Sequence, residues 1–424
     1  MLRSLDGSTD RHAQTVDPSR AQQSDQPLTR ADSGLEGFVD LDHAATTRLR
    51  PEVAEAMEPF GSLRYGNPSG SHSLARDAVR AVDEAREQIA EVVGCRPSEV
   101  IFTSGGTEAD NHAVTGGLPA RTATPVCSAV EHHAVLDVVH ALGGHTVGVN
   151  SDGQIDHADL AAMLNRVAES GAAVGVVSVM LANNEVGSIN DLSAVAACIA
   201  EASHSQVPGE SHIPLHTDAV QAAAWLDLRT AAAAADMISI SAHKLGGPKG
   251  IGALVVREST PIRPMILGGG QERDRRSGTA NVAGIVGFAA ALRTVDAERF
   301  QTNQRVIKLR EQLIVGLLES VTGLSETVDR GAQIPGSCHV CIDGVDSESL
   351  LLLLEAEGVL ASAGSSCASG AQEASHVLTA LGVPDDSARG ALRLWLGWDS
   401  TQSDVDRALQ AVPAAVQRVR DFGI

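Results

Sequence analysis

The sequence predicts a mainly parallel α/β sheet with helices on both faces, followed by a smaller α+β unit. Two observations predict it. From Phe38 onward, short apolar runs alternate with segments of helical period, as strands joined by crossover helices do. Just past several of those runs stand glycine, histidine, amide, acid and lysine residues, at the strand ends where open α/β sheets place their ligand sites.

Residues 1–36 are mainly polar, with hardly any large apolar side chains, so the segment cannot bury enough surface to offset its ordering entropy and reads as a disordered tail. Glu99–Thr103, Pro125–Val130, Ala172–Ala182, Ile213–Thr217, Met237–Ser241 and Gly252–Val256 read as strands. Between them lie helices such as Ala75–Val93, closed by Gly94. Ala200–Glu210, with its Ser, His, Pro and Gly, reads as a surface loop. A long helical segment over Val286–Val321 leads to the strands and helices that run from Thr327 to the end. The expected division is a large domain over 37–285 and a small C-terminal domain over 286–424, the N-terminal segment of the former contributing to the latter.

At 424 residues the chain exceeds the roughly 250–300 at which single cores stop growing, so two domains are the prior. The formal charge is −21, with no basic cluster. Such a surface repels phosphate backbones, which argues against nucleic acid and anionic membranes as partners. No apolar run approaches the ~20 residues of a spanning helix. The N-terminus lacks an apolar signal core, and Asp6, Asp10, Asp17, Asp25 and Asp32 speak against a transit peptide. Six scattered cysteines form no disulfide framework and suit a reducing compartment. The expectation is a cytoplasmic protein acting on small molecules or other proteins.

One lysine is delivered by a core strand. Met237–Ser241 runs into Ala242-His243-Lys244-Leu245-Gly246-Gly247, and a buried ammonium is costly unless its amine has a task. Its lowered pKa leaves a nucleophile able to hold an aldehyde cofactor as a Schiff base. Ser104-Gly105-Gly106-Thr107-Glu108 is a glycine turn opening a helix, whose free N–H groups suit a phosphate. His132, in Glu131-His132-His133, could stack on an aromatic cofactor or simply start a helix. The Asn184 amide, in Asn183-Asn184-Glu185, could reach a phenolic oxygen or merely serve a turn. Asp218, at the end of a buried run, calls for a cation such as a pyridinium nitrogen, with an N-cap as its competing role. Gly364-Ser365-Ser366-Cys367-Ala368-Ser369-Gly370 offers a thiol on a flexible loop, and a cofactor lysine with a mobile cysteine suggests sulfur chemistry.

Together, Leu41-Asp42-His43-Ala44-Ala45-Thr46-Thr47, Ser104-Gly105-Gly106-Thr107-Glu108, Glu131-His132-His133-Ala134-Val135-Leu136, Asn183-Asn184-Glu185-Val186-Gly187, Ser241-Ala242-His243-Lys244, Arg276-Ser277-Gly278-Thr279 and Ser365-Ser366-Cys367 resemble the cysteine desulfurases. These are pyridoxal-phosphate enzymes of the class V aminotransferase group. The resemblance runs from about Val39 to the end of the chain. It implies fold type I of the pyridoxal-phosphate enzymes, with a mainly parallel seven-stranded sheet in the large domain. The implied reaction takes L-cysteine to L-alanine, with pyridoxal 5'-phosphate as cofactor, and leaves persulfide sulfur on Cys367.

Residue roles follow from the same resemblance. Lys244 would hold the cofactor and later move the α-proton; Asp218 would pair with the pyridinium nitrogen; His132 would stack on the ring; Asn184 and Gln221 would contact the ring oxygen. Gly106, Thr107, Ser241 and His243 would hold the phosphate, joined by Thr279 from a second subunit of a homodimer. Asn67 and Arg393 would grip the substrate carboxylate, Arg393 being suited to a bidentate pair. The Cys367 loop resembles the long-loop, nitrogen-fixation-type branch, which is associated with passing sulfur to an iron–sulfur scaffold protein. A tRNA or cofactor thiolation relay is another possible acceptor. No intrinsic metal is expected, although Cys367 could share ligation of an iron–sulfur cluster with a partner. Ser366 stands where many relatives have alanine.

Other readings are a selenocysteine lyase, an ordinary class V aminotransferase, for which Cys367 has no use, and a non-catalytic sulfur-assembly scaffold, against which retention of Lys244, Asp218, His132 and Cys367 speaks. Cys338-His339-Val340-Cys341 suggests zinc or redox chemistry, but on a strand residues i and i+3 point to opposite faces, and no second ligand pair follows at zinc spacing. Trp395, Trp398 and the run Leu350–Leu354 read as core.

Overall fold

Seven strands form the central sheet of the protein, whose computed structural model describes residues 37–118, 123–204, 212–364 and 375–422. They are β2 (Val100–Thr103), β3 (Thr124–Ser128), β4 (His145–Val147), β5 (Val174–Ser178), β6 (Leu215–Asp218), β7 (Met237–Ser241) and β8 (Gly252–Val256), in the order β2-β8-β7-β6-β5-β3-β4. The pairs β7/β6, β6/β5, β5/β3 and β3/β4 are parallel, while β8 runs antiparallel to both β2 and β7. All residues of β2, β5, β6, β7 and β8 are buried, as strands covered on both faces must be.

The remaining strands form two small sheets. Strand β1 (Val39–Asp40) pairs with β11 (Val359–Leu360), and β10 (His339–Ile342) lies between β12 (Ala391–Arg393) and β9 (Leu324–Glu326). The helices are α1 (Pro51–Gly61), α2 (Ser73–Val93), α3 (Gly106–Gly117), α4 (His133–Ala141), α5 (His157–Glu169), α6 (Leu192–His204), α7 (Leu228–Ala231), α8 (Val282–Ser320), α9 (Ser347–Ala356), α10 (His376–Ala380), α11 (Asp385–Ala388) and α12 (Gln402–Phe422). Helix α2 ends on Gly94 in the left-handed region, its N–H bonded to Ala90 O, as the glycine stop predicts. Helix α8 spans 39 residues; its N-terminal part packs Gly287 against Met57 of α1, and its C-terminal part packs Gly316 against Leu409 of α12. Phe38–Ile424 cluster as one compact unit.

The mainly parallel sheet and all six expected strands are present, β7 and β8 with the expected bounds. Strand β4 was not anticipated, because His145-Thr146-Val147 is a three-residue edge strand with one buried side chain. Helix α8 begins four residues earlier than its periodicity predicts, where the Asn281 side chain accepts from the Gly284 N–H as N-cap. Helix α6 runs to His204, so the first part of the expected loop at 200–210 is helical; residues 205–211 lie outside the described residues, as do residues 1–36 and the segment carrying Cys367. The leucine run is only partly core: Leu350 and Leu354 are buried on α9, but Leu352 is 69% exposed, since five consecutive residues at helical spacing cannot share one face. Cys338 and Cys341 are buried free thiols at β10, and burial pushes Cys338 up to about 12. Among the described residues no cluster of His, Cys, Asp and Glu could hold a metal, and no helix is long and apolar enough to cross a membrane.

Candidate active site

A cavity of 510 Å³ opens beyond the ends of the central strands, lined by residues from five strand ends and from the small sheets. After β2, the turn through Gly105 opens α3 and brings Gly106 and Thr107 to the cavity. Glu108 fixes this turn by accepting from Ser104 N–H at 2.8 Å and from the Arg276 guanidinium at 2.7 and 3.1 Å. After β3, His132 is at once the N-cap of α4, its Nδ1 accepting from Ala134 N–H at 3.1 Å, and part of the cavity wall. The helix-start reading of that histidine holds, and the same residue faces the cavity.

After β5, Asn183 Oδ1 accepts from the N–H groups of Glu185 and Val186, which turns Asn184 and Glu185 toward the cavity. At the end of β6, Asp218 uses Oδ1 to accept from Val220 N–H at 2.8 Å while the residue lines the cavity. Gln221 donates to Ala44 O at 2.8 Å. After β7 a single 3-10 turn, Ala242–Lys244, carries the lysine, whose amine donates to the carbonyls of Ala44 and Ala45. The Leu41–Thr47 segment thus packs its backbone against Lys244 and Gln221.

Electrostatics follow from burial. Desolvation, reinforced by the Arg393 charge and opposed by Asp218 and Asp42, holds Lys244 down to about 8, so a large share of the amine is neutral in mildly alkaline solution. His243 is pushed down to about 4, chiefly by burial, with Lys244 and Lys249 adding to it. His132 is lowered by burial, against the pull of Asp218. Asp218 is raised by burial, with His132 and Lys244 opposing the rise.

A further part of the wall comes from β12 and the segment that follows β11. Arg393 donates to Asp42 Oδ1 at 2.6 Å, Asn184 O at 3.1 Å and Gly364 O at 3.3 Å. Its Nε is buried with no hydrogen-bond partner, an idle donor of a kind that folded proteins rarely keep without a ligand. Ser241 Oγ is likewise buried and unpartnered, beside the turn that opens α3. One cavity thus combines a guanidinium with an idle donor, a donor-lined helix start, an acid and an amine.

Of the expected site residues, the cavity brings together Gly106, Thr107, His132, Asn184, Asp218, Gln221, Ser241, His243, Lys244 and Arg393. It does not bring Asn67 or Thr279. Asn67 is exposed and its side chain accepts from Ser69 N–H in a local turn, and Thr279 is exposed beyond Arg276. Residues not singled out by the sequence also line it, among them Asp42, Asp110, Glu185 and His376. Asp110 lies four residues beyond Gly106 on α3, a spacing that places an acid one turn further along the same helix face.

The profile described as Aminotransferase class-V matches residues 39–408. An IscS-like cysteine desulfurase of Mycobacterium tuberculosis (strain ATCC 25618 / H37Rv) is 42% identical over 393 residues, covering 90% of this chain and 96% of its own. The chain belongs to the cysteine desulfurases of the class-V aminotransferase family. A cysteine desulfurase IscS of Dictyoglomus turgidum (strain DSM 6724 / Z-1310) is 38% identical over 390 residues, covering 90% of this chain and 95% of its own. Among solved structures, a NifS-like protein superposes with a TM-score of 0.80 at 32% identity, covering 90% of this chain and all of that one. The cofactor of this desulfurase family is pyridoxal 5'-phosphate, and the cavity fits it: the orphaned Ser241 hydroxyl, the turn at α3, the buried Asp218 and the depressed Lys244 offer partners to phosphate, ring nitrogen and aldehyde.

Proposed function

We propose that the chain converts L-cysteine and the Cys367 thiol into L-alanine and a persulfide on Cys367, and then passes that sulfur to an acceptor protein such as an iron–sulfur scaffold. The observation that carries this reading is the convergence of Lys244, Asp218, His132 and Arg393 on one cavity in a chain of this family.

Arg393 binds the substrate carboxylate, its idle Nε offering a free donor beside Nη2, which Asp42 already engages. Ser241, His243, Thr107 and Gly106 would hold the cofactor phosphate, Asp218 would pair with the ring nitrogen, His132 would stack on the ring, and Asn184 and Gln221 would contact its oxygen. When bound, pyridoxal phosphate supplies an electron sink for the pair left as the α-proton departs. Lys244, neutral above about pH 8, takes that proton at Nζ and returns it to form alanine. The Cys367 thiolate attacks the substrate sulfur, the carbon–sulfur bond breaks, and the sulfur stays with Cys367.

Several finer points belong to the same reading. The exposure of Thr279 beyond the Arg276–Glu108 pair supports a homodimer in which Thr279 completes the phosphate site of the second copy, and Asn67 joins the substrate carboxylate. The pairing of β1 with β11 supports a small domain of 286–424 that borrows the start of 37–285. The free thiols at all five described cysteines support a cytoplasmic setting.

The test is alanine formed from L-cysteine with a reductant present, comparing the intact chain with Cys367→Ala. Alanine from the first and almost none from the second is expected; equal amounts from both would remove Cys367 from the role.

A further inference from the structure

Three buried carboxyls act on one another where Asp218 stands; Asp110 and Asp218 line the cavity, and Glu131 is buried outside its lining. Asp110 comes from α3, Glu131 from the turn after β3, and Asp218 from the end of β6; they are 1%, 0% and 6% exposed. Among the described residues none of the three has a Lys or Arg ion-pair partner. The nearest basic side chain to Asp110 is His216, 3.6 Å from Oδ1, and burial holds His216 down to about 3, so it carries no charge.

Hydrogen bonding divides the three. Glu131 Oε1 accepts from Met180 N–H at 2.7 Å, while Oε2 is buried without a partner. Asp110 Oδ1 is likewise buried without a partner. Beside it, His216 Nε2 meets Ser239 Oγ at 2.9 Å, and His216 Nδ1 meets Ser178 Oγ at 2.8 Å. Each of Asp110 and Glu131 thus keeps one idle buried oxygen. An ionised carboxylate cannot sustain an idle buried oxygen cheaply, whereas a neutral carboxyl can. Asp218 differs, because its Oδ1 accepts from the Val220 N–H and neither of its oxygens is buried without a partner.

We infer that Asp110 and Glu131 are proton-bearing positioning residues for Asp218, so that the wall behind the ring nitrogen holds a single negative charge, located on Asp218. The inference deepens the proposed function and rests on its assignment of Asp218 to the cofactor. The groups facing the trio are His132, Lys244, His216, the Ser178 and Ser239 hydroxyls and the Cys127 thiol. Burial, together with the mutual repulsion of the three, raises Asp110 and Glu131 well above the usual carboxylate range, in agreement with the hydrogen-bond pattern. One wall charge then matches one pyridinium charge, and no second anion is left to repel the substrate carboxylate.

The experiment is infrared spectroscopy of the cofactor-loaded full chain in deuterated buffer at neutral pH, with aspartate and glutamate carboxyls separately labelled with carbon-13. The expected result is a protonated aspartic acid band that moves with the aspartate label and vanishes in Asp110→Asn, and a glutamic acid band that vanishes in Glu131→Gln. Glu185→Gln assigns any band from that other buried acid. Absence of the aspartic acid band from the unmutated chain overturns the inference without any variant having to fold; its disappearance in Asp218→Asn rather than Asp110→Asn does the same. A second readout tests positioning: ionising Asp110 at alkaline pH should shift the visible absorbance of the bound cofactor, and Asp110→Asn should lose that shift. A shift retained in Asp110→Asn counts against the role. If Asp218→Asn leaves the cofactor absorbance unaltered, the assignment of Asp218 fails instead, and the infrared bands still decide where the protons are.

Discussion

Arg393 and Asp42 form an ion pair at 2.6 Å, joining β12 to the segment that follows β1. The pair orients the guanidinium by one nitrogen and leaves Nε without a partner. A carboxylate bound there would meet an arginine already held in place, so little side-chain entropy would remain to be lost on binding.

Arg393→Lys should raise KM for L-cysteine about 10- to 100-fold, the loss of hydrogen bonds to a charged group being about 1.5–3 kcal/mol. Steady-state kinetics of alanine formation check this. A smaller effect on kcat than on KM is expected, because the lost contacts bind the carboxylate rather than the reacting bonds.

Capture of added pyridoxal phosphate by the apo chain should quicken as pH rises toward about 8 and level off above it, because the Lys244 ammonium is held down to about 8 and only the neutral amine attacks. An amine of ordinary pKa would continue to gain up to about 10.4. Stopped-flow absorbance across that range separates the two profiles. Lys244→Ala should bind the cofactor without covalent retention, as mass spectrometry of the reduced complex would show.

Asp218→Asn should lower alanine formation about 10- to 100-fold, since a charge-assisted bond to the ring nitrogen becomes a neutral one. The visible spectrum of the bound cofactor should change with it. An unaltered spectrum would place the nitrogen elsewhere.

Glu272→Ala should destabilise the fold by about 3–5 kcal/mol, because the partner, Arg86, is left as an unpaired buried charge. The pair is bidentate at 2.8 Å with side chains 8% and 10% exposed, and Glu272 also accepts from Phe102 N–H. Glu272, Arg273 and Asp274 all take positive φ, a conformation that costs energy without support, so the turn leading to Arg276 depends on this anchor. Urea denaturation of the apo chain checks it.

The sequence made the catalytic strand ends legible because they break a simple pattern. Lys244 and Asp218 follow runs whose every residue is buried, and a charge in that position stands out. His132 stayed ambiguous for a good reason, since it both caps α4 and lines the cavity. Glu131 lay inside a recognised motif and Asp110 two residues beyond one, yet both passed unnoticed, because an acid near the start of a helix reads as a response to its dipole, and only packing reveals that these acids turn inward. Asn67 and Thr279 were accessible through family resemblance alone, and both are exposed outside the cavity of the single chain. Leu352 shows the opposite failure, for hydrophobicity by itself does not say which side of α9 faces water.

Helix α8 has a mechanical consequence. Thirty-nine residues make a rod about 58 Å long, footed at one end on Met57 and at the other on Leu409. Along its length the helix meets the 3-10 turn that carries Lys244 and strand β9 of the sheet that carries Arg393. The cavity's amine and its guanidinium thus stand on parts of the fold that one continuous beam ties together from outside.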